Sequence, residues 1–282
     1  MTKLNDLFEI YGQSPWIDNI RRDWLLDGTL ARLVEQGVRG VTSNPSIFAK
    51  ALSTSTAYDD AIREAGPLDP EALFETLAVS DVRQACDVLA GVHASAQADC
   101  DARRRRHGDG FVSLEVSPRL AHDTEATIAA ALRLWNEVDR PNLMIKIPAT
   151  IEGLPAISEV LSHGVNVNVT LIFSVDRYAD VMSAWARGLI AAIESGHDVS
   201  RIASVASFFV SRVDVAVDAL LDKSDIRRGT TANAQVARAY DTYQRLCDSP
   251  EVLELLGRGV QVQRPCGPRR RRRIPSTTIC CT

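Results

Sequence analysis

Short apolar runs alternate with longer amphipathic stretches over most of this chain. The short runs have the apolar pattern of β-strands, and the stretches between them repeat their apolar residues with helical spacing. The predicted strands are residues 14–19, 38–42, 110–116, 143–147, 165–173 and 204–210, with the start of a seventh at 259–264; predicted helices include 23–36, 123–138, 174–195 and 232–246. Residues 43–89 add a long helical insertion. This repetition predicts an α/β fold with a parallel sheet, either a (β/α)8 barrel or a doubly wound sheet.

Polar side chains stand near the carboxyl ends of six successive predicted strands. The active sites of (β/α)8 barrels lie at that end of the sheet. A single polar residue in such a place is commonly a cap or a turn residue, but a series over six strands favours the barrel and a shared site. In chain order these residues are Asp18, Thr42, Asn44, Glu115, Lys146, Asn168, Thr170 and Ser207.

Lys146 is the candidate nucleophile. Strand alternation places it on one face with Met144 and Pro148, whereas Ile145 and Ile147 point to the other face. If both faces are covered, the ammonium is buried, and burial of an unpaired ammonium favours the neutral amine that attacks a carbonyl to form a Schiff base. The alternative is a lysine that reaches solvent from an edge strand.

Composition and charge allow an ordinary soluble enzyme. The chain has 282 residues, of which 45% are apolar and 24% charged, and its net charge of -4 gives no reason to expect a nucleic-acid or membrane partner. The first residues do not form a signal peptide, and no uncharged apolar stretch approaches the ~18 residues of a membrane span. We therefore expect a cytoplasmic protein. No dinucleotide-binding, P-loop or nucleophile-elbow motif is present, which argues against nucleotide binding and serine hydrolysis.

Several segments resemble the successive signatures of transaldolases of the actinobacterial type, and they occur in that family's order. They are VTSNPSIF (41–48), SLEVSPRL (113–120), IKIPAT (145–150), NVNVTLIF (166–173) and SVASFFVSR (204–212). The resemblance runs from about Leu4 to Pro265. It implies a (β/α)8 barrel that needs no cofactor and transfers a dihydroxyacetone unit through a lysine Schiff base. The implied substrates are sugar phosphates, with sedoheptulose 7-phosphate as donor and glyceraldehyde 3-phosphate as acceptor, in the non-oxidative pentose phosphate pathway.

The resemblance also implies a role for each candidate residue. Lys146 would form the Schiff base, and Asp18 would move the proton of the substrate C4 hydroxyl during carbon–carbon cleavage. Glu115 and Thr170 would hold the water that relays protons during imine formation and hydrolysis. The implied substrate-binding residues are Thr42, Asn44, Asn168 and Ser207, which would orient the dihydroxyacetone hydroxyls, and Arg212, which would bind the phosphate.

Two other functions stay open at this level. A class I aldolase of the same superfamily would cleave fructose 6-phosphate without passing the fragment to an acceptor. A truncated transaldolase could also be inactive and persist as a fragment or binding module. Neither the oligomeric state nor the preferred donor can be read from the sequence.

Residues 90–107 depart from the family pattern and predict a solvated loop, in which the reading frame could also be altered. Four arginines stand at 103–106, and His93, Cys100 and His107 are spaced seven apart. That spacing fits no usual zinc pattern, so no metal site is predicted.

The tail at 266–282 departs as well. We predict one barrel domain over residues 1–265 and a basic, disordered tail after it. Back-translation displaced by one base allows LWASTSTKNPVDYDLLYV, which resembles the way that transaldolases continue. This predicts a frame-altered C-terminus, a barrel incomplete at strands 7–8 and a chain of doubtful activity. A natural basic tail that binds nucleic acid is the alternative interpretation.

Overall fold

Eight strands form one closed sheet in the computed structural model. The structure describes residues 3–103, 108–268 and 277–281, without the side chains of 99–103, 268 and 277–281. The strands are Gln13–Asp18 (β1), Gly40–Thr42 (β2), Val112–Glu115 (β3), Leu143–Pro148 (β4), Val167–Ile172 (β5), Ser204–Phe208 (β6), Arg264–Pro268 (β7) and Thr277–Cys281 (β8). Strands β1 to β7 are parallel and adjacent in chain order. The predicted (β/α)8-type barrel is therefore confirmed.

Strand β8 is the departure from that plan. It runs antiparallel to both β7 and β1, and it closes the sheet between them. Only residues 269–276 separate it from β7, and a parallel return would need a crossover of a dozen or more residues. The barrel predicted to be incomplete at strands 7–8 is thus closed, and its last described strand runs in the reverse direction. Strand β7 crosses the predicted domain boundary at Pro265, and the disorder predicted for the remaining tail stays a prediction, because residues 269–276 and 282 lie outside the described part.

Helices cover the outside of the sheet. They are Lys3–Glu9 (α1), Arg22–Leu26 (α2), Thr29–Glu35 (α3), Pro45–Thr54 (α4), Asp59–Ala65 (α5), Pro70–Arg103 (α6), Thr124–Val138 (α7), Gly153–Ser162 (α8), Val175–Glu194 (α9), Val210–Asp218 (α10), Thr231–Cys247 (α11) and Pro250–Gly257 (α12). None of the helices within the described ranges is both long and apolar enough to cross a bilayer.

Two helix predictions need correction. The helix predicted over residues 23–36 is two helices, because Gly28 adopts a left-handed backbone between α2 and α3. The loop predicted at 90–107 is wrong for residues 90–103, which continue α6. In that helix His93 Nδ1 bonds the Asp109 carbonyl at 2.9 Å and its ring packs against Phe111. The side chains of Cys100 and His107 lie outside the described residues.

The core has two layers that follow the alternation of the strands. Ile145 and Ile147 of β4 belong to the large cluster between the sheet and the helices, whereas Met144 packs with Trp16 and other inward residues inside the barrel. A side chain on Gly40 would overlap the ring of Trp16, so β2 needs a glycine at that point. All of β4 is buried, which leaves its lysine inside the barrel.

The helical insertion is fastened to β1 by a buried polar cluster. Arg22, just after β1, donates from Nε to Asp81 Oδ1 of α6 at 2.7 Å, and the Tyr58 hydroxyl donates to Asp81 Oδ2 at 2.8 Å. The Arg22 backbone N–H in turn donates to the Tyr58 hydroxyl. Burial raises the pKa of Asp81, and the charge of Arg22 opposes that rise. The cluster holds the segment that follows Asp18 against the long helix.

Candidate active site

A cavity of about 480 Å³ opens at the carboxyl ends of the parallel strands. We call this end of the barrel the catalytic face. Eight of the nine predicted site residues line the cavity: Asp18, Thr42, Asn44, Glu115, Lys146, Thr170, Ser207 and Arg212. Strand register explains the convergence, because Glu115 of β3 stands beside Lys146 of β4. Asn168 is the exception and lies beneath the cavity.

Lys146 is buried in this cavity, and its amine has two partners within the protein. Its side chain is 6% exposed, and Nζ lies 3.2 Å from Glu115 Oε2. Nζ also donates to the Ser43 carbonyl at 3.0 Å. The buried amine of Lys146 thus has a carboxylate partner. The pairing gives the lysine a carboxylate that can take its proton, which is what an amine nucleophile requires.

Two carboxyl groups share this charged centre. Burial raises the pKa of Asp18, and the positive charge of Lys146 works in the opposite direction. Burial likewise raises the pKa of Glu115, the charge and hydrogen bond of Lys146 lower it, and the charge of Asp18 raises it again. Two carboxyl groups beside one amine form a set of groups between which protons can be exchanged.

Two threonine hydroxyls face the cavity without a hydrogen-bond partner among the described residues. They are Oγ1 of Thr42 and Oγ1 of Thr170, and both atoms are buried. A buried hydroxyl without a partner costs roughly 1–3 kcal/mol. Both hydroxyls are available to a molecule in the cavity, on strands that flank those of Glu115 and Lys146.

The predicted amide residues have other bonds within the protein. Asn168 donates from Nδ2 to Ser113 Oγ at 2.9 Å and accepts from Ser207 Oγ at 2.8 Å. Since it is 1% exposed, Asn168 supports Ser207 from below. Asn44 accepts from the Ile47 backbone N–H at 3.0 Å and caps helix α4, so its side-chain oxygen helps to fix the loop after β2.

Arg212 stands at the rim, where its guanidinium lies 5.1 Å from the ring centre of Phe209. It also lines a smaller adjoining cavity of about 390 Å³, together with Arg21 and Lys50. Arg21 is paired with Asp23. Arginine beside an aromatic ring, with further cations near it, suits an anionic group such as phosphate.

Sequence reasoning missed other residues of the cavity wall. Residues that line the cavity beyond those predicted are Pro45, Ser46, Pro118, Leu171, Phe208, Phe209, Ser211 and Cys266. Most of them lie within four residues after a strand, in the segments quoted above. Their place after a strand end was the available signal. Leu171 carried no signal, because regular alternation would turn it away from the cavity.

Known proteins resemble this chain over nearly the whole barrel. Residues 15–266 match the family described as Transaldolase/Fructose-6-phosphate aldolase. Curated proteins named Transaldolase from Saccharopolyspora erythraea, Mycolicibacterium smegmatis and Mycobacterium tuberculosis are each 49% identical to it. Each comparison covers 90% of this chain and 68% of the relative. Every predicted site residue lies inside the matched range.

Proposed function

Because this chain belongs to the transaldolase/fructose-6-phosphate aldolase family, we propose that it transfers a dihydroxyacetone unit through a Schiff base on Lys146. Its function is that of a transaldolase, a transferase of aldehyde and ketone residues. The donor is sedoheptulose 7-phosphate and the acceptor is glyceraldehyde 3-phosphate, within the non-oxidative pentose phosphate pathway. We place the reaction in the cytoplasm. The observation that carries the proposal is the buried Nζ of Lys146, 3.2 Å from Glu115 Oε2 in a cavity that Asp18 also lines.

The first half of the reaction makes the imine. Lys146 passes a proton to Glu115, and the neutral amine attacks the C2 carbonyl of the donor. The carbinolamine then loses water, with its oxygen protonated through a water held by Glu115 and Thr170. Asp18 takes the proton of the C4 hydroxyl, the bond between C3 and C4 breaks, and its electron pair enters the enamine. Erythrose 4-phosphate leaves.

The second half runs the same steps in reverse on the acceptor. The enamine carbon attacks the aldehyde of glyceraldehyde 3-phosphate, and Asp18 returns its proton to the new alkoxide. The water beside Glu115 and Thr170 then adds to the imine, which releases fructose 6-phosphate and the free lysine. Thr42, Asn44 and Ser207 orient the dihydroxyacetone hydroxyls, with Asn168 as the support of Ser207. Arg212 binds the phosphate.

Transfer itself is the test that separates this proposal from an aldolase. Purified protein should form erythrose 4-phosphate from sedoheptulose 7-phosphate only when glyceraldehyde 3-phosphate is present, because the enamine waits for an aldehyde. A coupled assay for erythrose 4-phosphate, with and without acceptor, measures this. Rapid cleavage of sedoheptulose 7-phosphate or fructose 6-phosphate without acceptor would instead assign an aldolase.

Replacing Asp18 with asparagine should stop cleavage but leave imine formation. Asparagine cannot accept the C4 proton, so turnover should fall by roughly 10²- to 10⁴-fold. Lys146 keeps Glu115 as its proton acceptor, so borohydride reduction with fructose 6-phosphate should still leave an adduct on Lys146. Mass spectrometry and the transfer assay read the two steps separately. A variant with unchanged turnover would remove Asp18 from the mechanism.

The same residue predicts a pH dependence. Burial raises the pKa of Asp18 above 3.8, and only the ionised carboxylate accepts a proton. Turnover of the unmodified chain should therefore fall as the pH is lowered through this raised pKa, at higher pH than an ordinary aspartate would give.

A further inference from the structure

Strand β5 contains an extra residue at the catalytic face. Val169 pairs with Ala206 and Ile172 pairs with Phe208, so three steps along β5 match two steps along β6. This is the geometry of a β-bulge. At the bulge Leu171 adopts a left-handed backbone with φ of 59°. Leucine rarely takes that conformation.

The bulge changes which side chains face the cavity. Val169 and Ile172 both belong to the cluster between the sheet and the helices. In a regular strand, residues three apart would point to opposite faces. Because of the extra residue, Thr170 and Leu171 both line the cavity between them.

Neighbouring strands hold the bulge on both sides. The Thr170 carbonyl accepts from the Ala149 backbone N–H at 2.8 Å, and the Ile172 carbonyl accepts from the Phe209 backbone N–H at 3.0 Å. Leu171 is therefore fixed between two anchored residues. Unfavourable backbone conformations persist where the surroundings determine them in this way, and they cluster at functional sites.

We propose that the left-handed backbone of Leu171 positions the Thr170 hydroxyl for the reaction water. The inference rests on the proposed function, in which Thr170 and Glu115 hold that water. Thr170 is 1% exposed, and its Oγ1 has no hydrogen-bond partner in the described part of the chain. A residue at position 171 that disfavours the left-handed conformation would change the direction of β5 at Thr170 and displace this hydroxyl. Leu171 is thus a positioning residue that acts through its main chain.

The proposal predicts an unusual order among variants of Leu171. Glycine and asparagine tolerate a left-handed backbone, whereas the β-branched isoleucine and valine oppose it most strongly. We expect Leu171→Gly and Leu171→Asn to retain a kcat about tenfold higher than Leu171→Ile and Leu171→Val, a difference of about 1.4 kcal/mol in the barrier. The KM for sedoheptulose 7-phosphate should vary less than kcat across the series. The transfer assay gives both constants, and thermal unfolding shows that each variant is folded.

Leu143 provides the matched control. It lies on β4, it is fully buried, and its backbone is not among those with positive φ. At Leu143 the stability of the variants should follow their apolar character, so Leu143→Asn should melt at a lower temperature than Leu143→Ile.

Two results would overturn the proposal. One is a Leu171 series whose kcat follows apolar volume, with isoleucine and valine above glycine and asparagine. The other is a series whose members are all equal, whether active or inactive. If isoleucine or valine prevents folding, the glycine and asparagine variants decide, since loss of their turnover contradicts the proposal. Unmodified protein is assayed in parallel. If it is active and the kcat of the variants follows apolar volume, only the role of Leu171 is refuted. If it shows neither transfer nor an adduct on Lys146, the proposed function is refuted and this inference with it.

Discussion

Replacing Lys146 with arginine should lower the transfer rate by roughly a thousandfold or more, because loss of a covalent nucleophile removes the pathway through the intermediate. Arginine keeps its proton in proteins and cannot form the imine. The variant should also lose the mass adduct that borohydride leaves with fructose 6-phosphate. Since arginine can still pair with Glu115, the charge inside the barrel is kept and the fold should survive.

Lys223→Arg is the control for this experiment. Lys223 is exposed and lies outside the cavity, so the same change of side chain there should leave both the transfer rate and the Lys146 adduct in place. An adduct on another lysine in the folded, active protein would show that Lys146 is not the nucleophile.

Removing the carboxylate of Asp81 should destabilise the protein by about 3–5 kcal/mol. The side chains of Asp81 and Arg22 are 0% and 9% exposed, so Asp81→Ala leaves a buried guanidinium without its main partner. The Tyr58 hydroxyl loses its acceptor as well. The free energy of unfolding from guanidinium titration measures the effect, read from the midpoint at an unchanged slope.

An exposed ion pair serves as the comparison. Asp60 and Arg63 are 84% and 73% exposed, and Asp60→Ala should change the free energy of unfolding by no more than about 1 kcal/mol. The double variant Arg22→Met, Asp81→Leu should recover much of the loss, since no buried charge then remains. Equal effects at Asp81 and Asp60 would contradict a structural role for the buried pair.

Much of the barrel could be predicted because its strands obey simple alternation. In β4 the inward residues Met144 and Lys146 alternate with helix-facing leucine and isoleucine. The structure places Met144 in the inner cluster and Lys146 in the cavity, and it places the leucine and isoleucines in the outer cluster. Polar residues at successive strand ends predicted the cavity for a related reason. The carboxyl ends of parallel strands meet at one face, so their side chains converge whatever the details of register.

Contacts between strands could not be predicted. The pairing of Lys146 with Glu115 depends on the register of β3 against β4, and that register cannot be read from a single sequence. The hydrogen bonds of Asn168 on β5 to Ser113 of β3 and Ser207 of β6 could not be foreseen either, and its predicted contact with substrate stays a prediction. The arginines at 103–106 suggested a loop over a segment that the structure shows as helix up to Arg103, because charged residues are equally compatible with a solvated helix face.

Two features of the fold were not predicted, for different reasons: the bulge at Leu171 and the direction of β8. Glycine or asparagine would have signalled a left-handed backbone, whereas leucine at that position gives no sign of it. The direction of β8 follows from the short connection after β7. It could be foreseen only if residues 277–281 had been recognised as a strand.

The reversed β8 places the two reacting groups on different kinds of strand. Lys146 stands on β4, which lies between two parallel neighbours and has helices α7 and α8 packed against it. Asp18 stands at the end of β1, which pairs with the parallel strand β2 over Trp16–Asp18 and with the antiparallel strand β8 over Gln13–Ile17. The strand that carries the proton acceptor for carbon–carbon cleavage is therefore held along most of its length by β8, whereas the strand of the nucleophile is held by elements from the middle of the chain.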